Sequence, residues 1–221
     1  LERTRALLAD RLGRTVDDLT VVLHSSDRWL IAASPFLPFA RLLAAPAARR
    51  YLVGWAGRRE LHVLTPRALE ARAAGSGDSR EMLLLSPSAL YARRVLADAV
   101  DGLPPPNTPG RLIRYLRWAW LAEGGAQFFS GQTAHVRPAL VRRLREGPTP
   151  TLPPAARDAP LLGGMVFDML ARREGMAACV KLATHLDPRG STAALRSAFG
   201  GLRKAELDQL WERHLEAATA A

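Results

Sequence analysis

The chain has 221 residues, 48% of them apolar, and a formal net charge of +10 carried almost wholly by arginine, with lysine only at Lys181 and Lys204. That composition fills a substantial core and argues against disorder over most of the length. No apolar run is long enough to span a bilayer, the charged start "LERTRALLADRLG" is unlike a signal segment, and the lone Cys179 excludes an internal disulfide or a cysteine zinc cluster.

Residues 2 to 12 have helical spacing, with Leu7, Leu8 and Leu12 on one side and Gly13 as the stop. Three short segments rich in β-branched and aromatic residues read as strands: "LTVVLHSS" at 19 to 26, "RYLVGWAG" at 50 to 57 and "ELHVLTP" at 60 to 66. The last two are separated around Gly57-Arg58-Arg59 and pair as a hairpin. "PFLPFARLLAAP" at 35 to 46 reads as an apolar loop or short helix that either covers the sheet or serves self-association. "EMLLLSP" at 81 to 87 reads as a fourth strand. From Ser88 the period becomes helical, over 88 to 101, 109 to 130, 136 to 146, 159 to 173, 175 to 186, 191 to 199 and 203 to 218. Proline-rich stretches at 102 to 110 and 147 to 154 are expected to be ordered loops. The segregation of strands from helices predicts an α+β unit: a strand-containing N-terminal lobe, 1 to 87, with a small mixed sheet of three or four strands, then a helical part, 88 to 221.

The helix at 109 to 130 contains "WLAEGGAQFF". At about 100° per residue, Leu112, Leu116, Ala119, Trp120, Ala126 and Gln127 share an arc with Glu123 near its centre, while Arg111, Arg114 and Arg117 fall opposite. A carboxylate on a buried stripe requires a partner, a cation or a metal. Gly124 and Gly125 each weaken the helix by about 0.8 to 1 kcal/mol relative to Ala, which predicts close approach of another backbone or a ligand. Geometry alone leaves open a structural Glu paired to a core Arg.

"WLAEGGAQFF", together with "GGMVFDMLARREGMAACVKLATHL" and "GSTAALRSAFGGLRKAELDQLWERHL", resembles the peptidase MA-like zinc peptidases, the gluzincins. The resemblance implies a zincin-like fold, makes Glu123 the relic of the third zinc ligand, and places Trp120 and Gly124 beside a vestigial cleft. The family's His-Glu-x-x-His, in which two His on one helical face bind zinc and the Glu activates water, is absent. One alignment sets "RRVLADAVDG" (93 to 102) in that helix, with Asp98, Ala99 and Gly102 at the motif positions; another slides "LYARR" (90 to 94) into the slot. Either way no metal or other cofactor is expected, and a replacement cation for Glu123 is: Arg94 first, Arg93 second. "APLLGGMVFDML" offers no oxyanion-stabilising Tyr or His, Ser130 lacks a nucleophile elbow, and Cys179 lacks a base.

The resulting expectation is a pseudo-metallopeptidase, a non-catalytic protein whose cleft binds peptide or protein, the family's edge strand holding the partner by strand addition. The alternatives are an active hydrolase with Asp98, Glu123 and His135 as unconventional ligands, and an arginine-driven nucleic-acid binder using Arg137, Arg142, Arg143 and Arg145 with other arginine pairs. The last is not favoured, because no nucleic-acid-binding signature accompanies those arginines. Oligomeric state and compartment, cytoplasmic or exported after removal of an upstream segment, stay open.

Overall fold

A computed structural model of the protein describes residues 1–73, 75–100 and 109–220. The protein is mixed α+β and mostly helical, with one small mixed sheet among the described residues. Helix α1 (Glu2–Leu12) ends at Gly13, whose φ of 62° lets its N–H turn back to the Ala9 carbonyl, as the terminal glycine predicted. Strand β1 (Thr20–His24) runs parallel to β3 (Glu60–Leu64), and β2 (Gly54–Ala56) pairs antiparallel with β3 through the Gly57 turn. The order β1-β3-β2 makes β3 central and leaves β2 on an edge. Alternation on β3 sends Leu61 and Val63 fully inside.

Three short helices, α2 (Asp27–Ala33), α3 (Leu37–Leu43) and α4 (Pro46–Arg49), connect β1 to β2. The strand expected at 50 to 57 is therefore shortened to Gly54–Ala56. Pro46 starts α4, and the chain then turns, with the N–H groups of Tyr51 and Leu52 bonding back to Ala48 and Arg49.

The fourth strand expected at 81 to 87 does not form. After α5 (Pro66–Arg72), residues Gly77–Leu84 form helix α6, and Ser86–Ala99 continues as α7. Ser76 caps α6 by accepting a hydrogen bond from the Ser79 N–H at 3.1 Å, and Met and Leu are stronger helix formers than strand formers. A short apolar run bounded by Ser and Pro fits either state by pattern alone, and the cap decides it.

The remaining helices follow the predicted order: α8 (Pro109–Ser130), a 3-10 turn (Gln132–His135), α9 (Arg137–Arg145), α10 (Ala159–Glu174), α11 (Met176–Thr184), α12 (Ser191–Ala198) and α13 (Lys204–Ala220). The proline-rich stretch expected to be a loop at 102 to 110 lies, up to residue 108, outside the described residues, as does Gly102. The second such stretch is held by Arg143 Nη1, which donates to the Pro148 carbonyl at 3.5 Å, and by two neighbouring contacts. Trp211 Nε1 donates to the Pro150 carbonyl at 2.8 Å, and buried Arg143 forks onto Asp158 at 2.5 and 2.9 Å.

One continuous apolar core runs from Leu8 in α1 to Leu215 in α13, so the N-terminal lobe and the helical part share a single interior. A smaller cluster of Leu30, Leu37, Val53, Leu64, Leu69 and Leu83 lies on the side of α2, α3 and α5.

Candidate functional site

Glu123 lies midway along α8, with its side chain 12% exposed, and has two partners. Arg93 on α7 places its Nη1 at 3.0 Å from Glu123 Oε1, and the Tyr115 hydroxyl donates to the same carboxylate oxygen. The Arg93 guanidinium also lies 5.1 Å from the Tyr115 ring centroid and 5.4 Å from that of Trp55 on β2. Burial works against the charge on Arg93, but attraction to Glu123 and Tyr115 outweighs it and raises its pKa above the ordinary value. For Tyr115, burial raises the phenol pKa; Arg93 opposes that and Glu123 adds to it, so the hydroxyl stays protonated as a donor.

Around this pair is a recess in two adjoining parts, which share Gly54, Arg93 and Glu123 in their walls. Edge strand β2 contributes Gly54 and Trp55, and α7 contributes Ala89, Leu90 and Arg93. Tyr115, Glu123 and Gln127 come from α8, and Phe39, Ala40 and Leu43 of α3 cover one side. The part under α3 encloses about 60 Å³, enough for a few waters or one small aliphatic group. Larger grooves of about 510 and 610 Å³ lie around Leu186–Pro188, apart from the Glu123 cluster.

The outer edge of β2, with which no strand pairs among the described residues, borders this recess. Leu64 N–H bonds to Val53 O and Gly57 N–H to Glu60 O, and Trp55 is registered with His62. Antiparallel pairing alternates, so Val53, Trp55 and Gly57 turn toward β3 while the backbone N–H and C=O groups of Gly54 and Ala56 point to the outer edge.

Of the expected site residues, the structure brings together Glu123 and Arg93 and separates the rest. Arg94, the first candidate for the replacement cation, is one residue, about 100°, further round α7. It donates to the Arg58 carbonyl at 2.9 Å and to Asp98 at 3.2 Å. Asp98 is about half exposed and engages that arginine rather than Glu123. His135 pairs with Asp78 at 3.0 Å. The ligand set Asp98, Glu123 and His135 is thus dispersed, and among the described residues no three His, Cys, Asp or Glu side chains converge as a metal site.

Trp120 and Gly124 belong to the helix packing rather than to the recess. Trp120 is only 2% exposed within the core. A Cβ on Gly124 would come within 2.4 Å of the Gly163 backbone on α10. Gly124 therefore serves the close backbone approach that its place in a helix predicted. Gln127, also on α8, accepts a hydrogen bond from the Gly164 N–H at 2.9 Å.

Two residues of the cluster escape sequence reasoning. Tyr115 precedes Glu123 by eight residues on one helix, a spacing that leaves the pair on the same side and was available as a signal. Ala89 lies one helical turn before Arg93 and lines the same recess, which becomes visible only when the face of α7 toward Glu123 is known.

Three of the four arginines of the basic run have partners within the chain, and Arg145 is exposed. Arg142 pairs with Glu146, Arg143 with Asp158, and Arg137 donates to the Thr219 carbonyl. Cys179 is fully buried, its thiol pushed up to about 12 by burial and then by Asp168, which leaves it inert near neutral pH.

Compared with protein-family models, with curated proteins and with solved structures, the chain matches none. The class that its own geometry defines is an α+β protein in which a strand edge adjoins a buried arginine–carboxylate–tyrosine cluster. No helix among the described residues is long and apolar enough to cross a membrane.

Proposed function

We propose that the chain is a non-catalytic protein of the peptidase MA-like kind whose recess binds an extended peptide or protein segment against the outer edge of β2. The single observation that supports this reading is the Arg93–Glu123 ion pair at 3.0 Å, capped by Tyr115 and bordered by a strand edge. On this reading the guanidinium stands in for a lost metal. Ala89 and Arg93 are four residues apart on one face of α7, the spacing the family fills with two histidines, and Leu90 takes the place of its catalytic Glu. With Glu123 neutralised and the Tyr115 phenol protonated, the cluster retains shape and hydrogen bonding but supplies no activated water. The outward groups of Gly54 and Ala56 hold a partner's backbone, and the apolar wall of Phe39 and Leu43 accepts one small side chain.

Rebuilding the motif tests the reading. The variant Ala89→His/Leu90→Glu/Arg93→His is expected to bind one zinc ion per chain by metal analysis. Adding Glu123→Gln is expected to weaken that binding at least about tenfold, because a ligand is lost. A folded triple variant that ignores zinc would refute the placement, and so would wild-type protein that purifies with stoichiometric zinc and chelator-sensitive peptidase activity. Binding of extended decapeptides, read by fluorescence anisotropy, is expected to be lost in Ala56→Pro, which removes an outward N–H without touching the ladder to β3.

A further inference from the structure

The connection between β1 and β2 has a surface unlike the rest of the molecule. Trp29, Ile31, Phe36, Phe39, Leu42 and Leu43 are all exposed, Trp29 by 66% and Leu42 by 70%, on two short consecutive helices and the turn between them. Ala32, Ala33, Pro35, Pro38 and Pro46 add further exposed apolar surface, so that from Trp29 to Pro46 no charged side chain is fully exposed. The segment's own charge, Arg41, turns inward: it forks onto Asp27 at 3.0 and 3.3 Å and donates to the Leu52 carbonyl at 2.8 Å. Arg72 binds the same aspartate at 2.5 Å, which ties α2 and α3 to α5. The apolar face is thus held outward by a fixed framework and is not a collapsed core that failed to close.

Its electrostatic setting is one-sided. Between Asp27 and Glu60 the sequence contains six arginines and no acidic residue, and Asp27 itself is neutralised by two guanidinium groups. Exposed Arg28 precedes the face, and Arg49 follows it, donating to the Ala44 and Leu42 carbonyls. A second copy would bring the same arginines, and a further +10, against this charge. A protein partner would ordinarily meet hydrogen-bonding groups spread through the contact, which this face lacks. Trp, Phe and Leu in a patch flanked by arginine are the chemistry of an interfacial lipid anchor.

We infer that the α2–α3 face docks onto the surface of an anionic bilayer, its aromatic and leucine side chains entering the headgroup–acyl boundary while Arg28 and Arg49 meet lipid phosphates. The face shares Phe39 and Leu43 with the outer wall of the recess, but the inference does not rest on peptide binding there. Attachment is peripheral, through short helices lying in the interface.

Co-sedimentation of the full chain with large unilamellar vesicles provides the test. Binding is expected to vesicles of phosphatidylcholine with phosphatidylglycerol, and much less to phosphatidylcholine alone. The variant Trp29→Gln/Leu42→Gln, which leaves the net charge unchanged, is expected to bind at least about tenfold more weakly. Undiminished binding by that variant would reduce the effect to bulk charge and overturn the inference, as would wild-type protein that ignores both vesicles. A wild-type dimer in light scattering that the same variant dissociates would reassign the face to self-association. Hydrogen exchange on wild-type protein supplies a readout that needs no variant: vesicles are expected to protect residues 27 to 46, and protection confined elsewhere would also overturn the docking face.

Discussion

A buried charge is stable only with its partner, and the Arg93–Glu123 pair makes that dependence measurable. The two side chains are 15% and 12% exposed, so removing one leaves the other largely desolvated and uncompensated. Arg93→Ala is expected to cost about 3 to 5 kcal/mol in urea unfolding. Tyr115→Phe, which deletes one hydrogen bond to the carboxylate, is expected to cost about 1 to 3 kcal/mol. Removing both charges as Arg93→Met/Glu123→Gln is expected to be milder than Arg93→Ala, because no orphan ion remains. A double variant that loses as much as the sum of the singles would mean that the two residues act independently. The sequence showed that Glu123 needed a cation and narrowed the choice to two adjacent arginines. It ranked Arg94 ahead of Arg93, the reverse of what the structure shows, because a 100° step along α7 exchanges the buried face for the one that meets Arg58 and Asp98.

At the level of elements, α8 against α10 is the contact that most constrains the sequence. Gly124 and Gly163 allow the two backbones to touch: a Cβ on Gly124 would lie 2.4 Å from the Gly163 carbonyl carbon and oxygen, and one on Gly163 would lie 2.5 Å from the Trp120 carbonyl oxygen. Backbone cannot step aside without shifting a helix. Gly125 differs, since its Cβ would meet Leu96 Cδ1 at 2.8 Å, the far end of a flexible side chain. Gly124→Ala is therefore expected to lower stability by about 3 kcal/mol or more, and Gly125→Ala by distinctly less, since helix propensity returns about 0.8 to 1 kcal/mol. Thermal unfolding of the two variants checks the order, and equal losses would contradict the packing. That glycines inside a helix meant close approach was legible in the sequence. What approaches was not, because Gly163 is 39 residues away along the chain and only the fold brings it near.

Across the molecule, two histidines tie stability to pH. Burial and then the neighbouring His62 lower the pKa of His24 on β1. Burial lowers that of His214 on α13, Arg172 adds to it, and Asp168, 3.3 Å away, opposes it only in part. Both groups favour the neutral form when folded, whereas in the unfolded chain they take up protons near pH 6.5. The unfolded state thus binds more protons below that pH. Stability contributed by these groups is complete above about 7 and falls as the pH drops through 6.5 toward 5, before most carboxylates titrate. Urea midpoints measured from pH 7.5 to 5 are expected to decline, and less steeply in His214→Gln. A flat profile would exclude these groups from the linkage.

Sequence alone determined what depends on neighbours along the chain. The helices from α7 onward, the β2–β3 hairpin, the glycine stop of α1 and the acid that must be paired all follow from period, capping and local chemistry. Even locally it erred at α6, where leucines admit both helix and strand and the Ser76 cap tipped the balance. Tertiary structure alone decided the rest: that Arg93 and Tyr115 meet Glu123, that Asp98 and His135 do not, and that α3 covers the recess beside the β2 edge. Period records which face of an element is buried, but the identity of what it meets is set by how distant segments pack, and that information is not written in any one stretch of the chain.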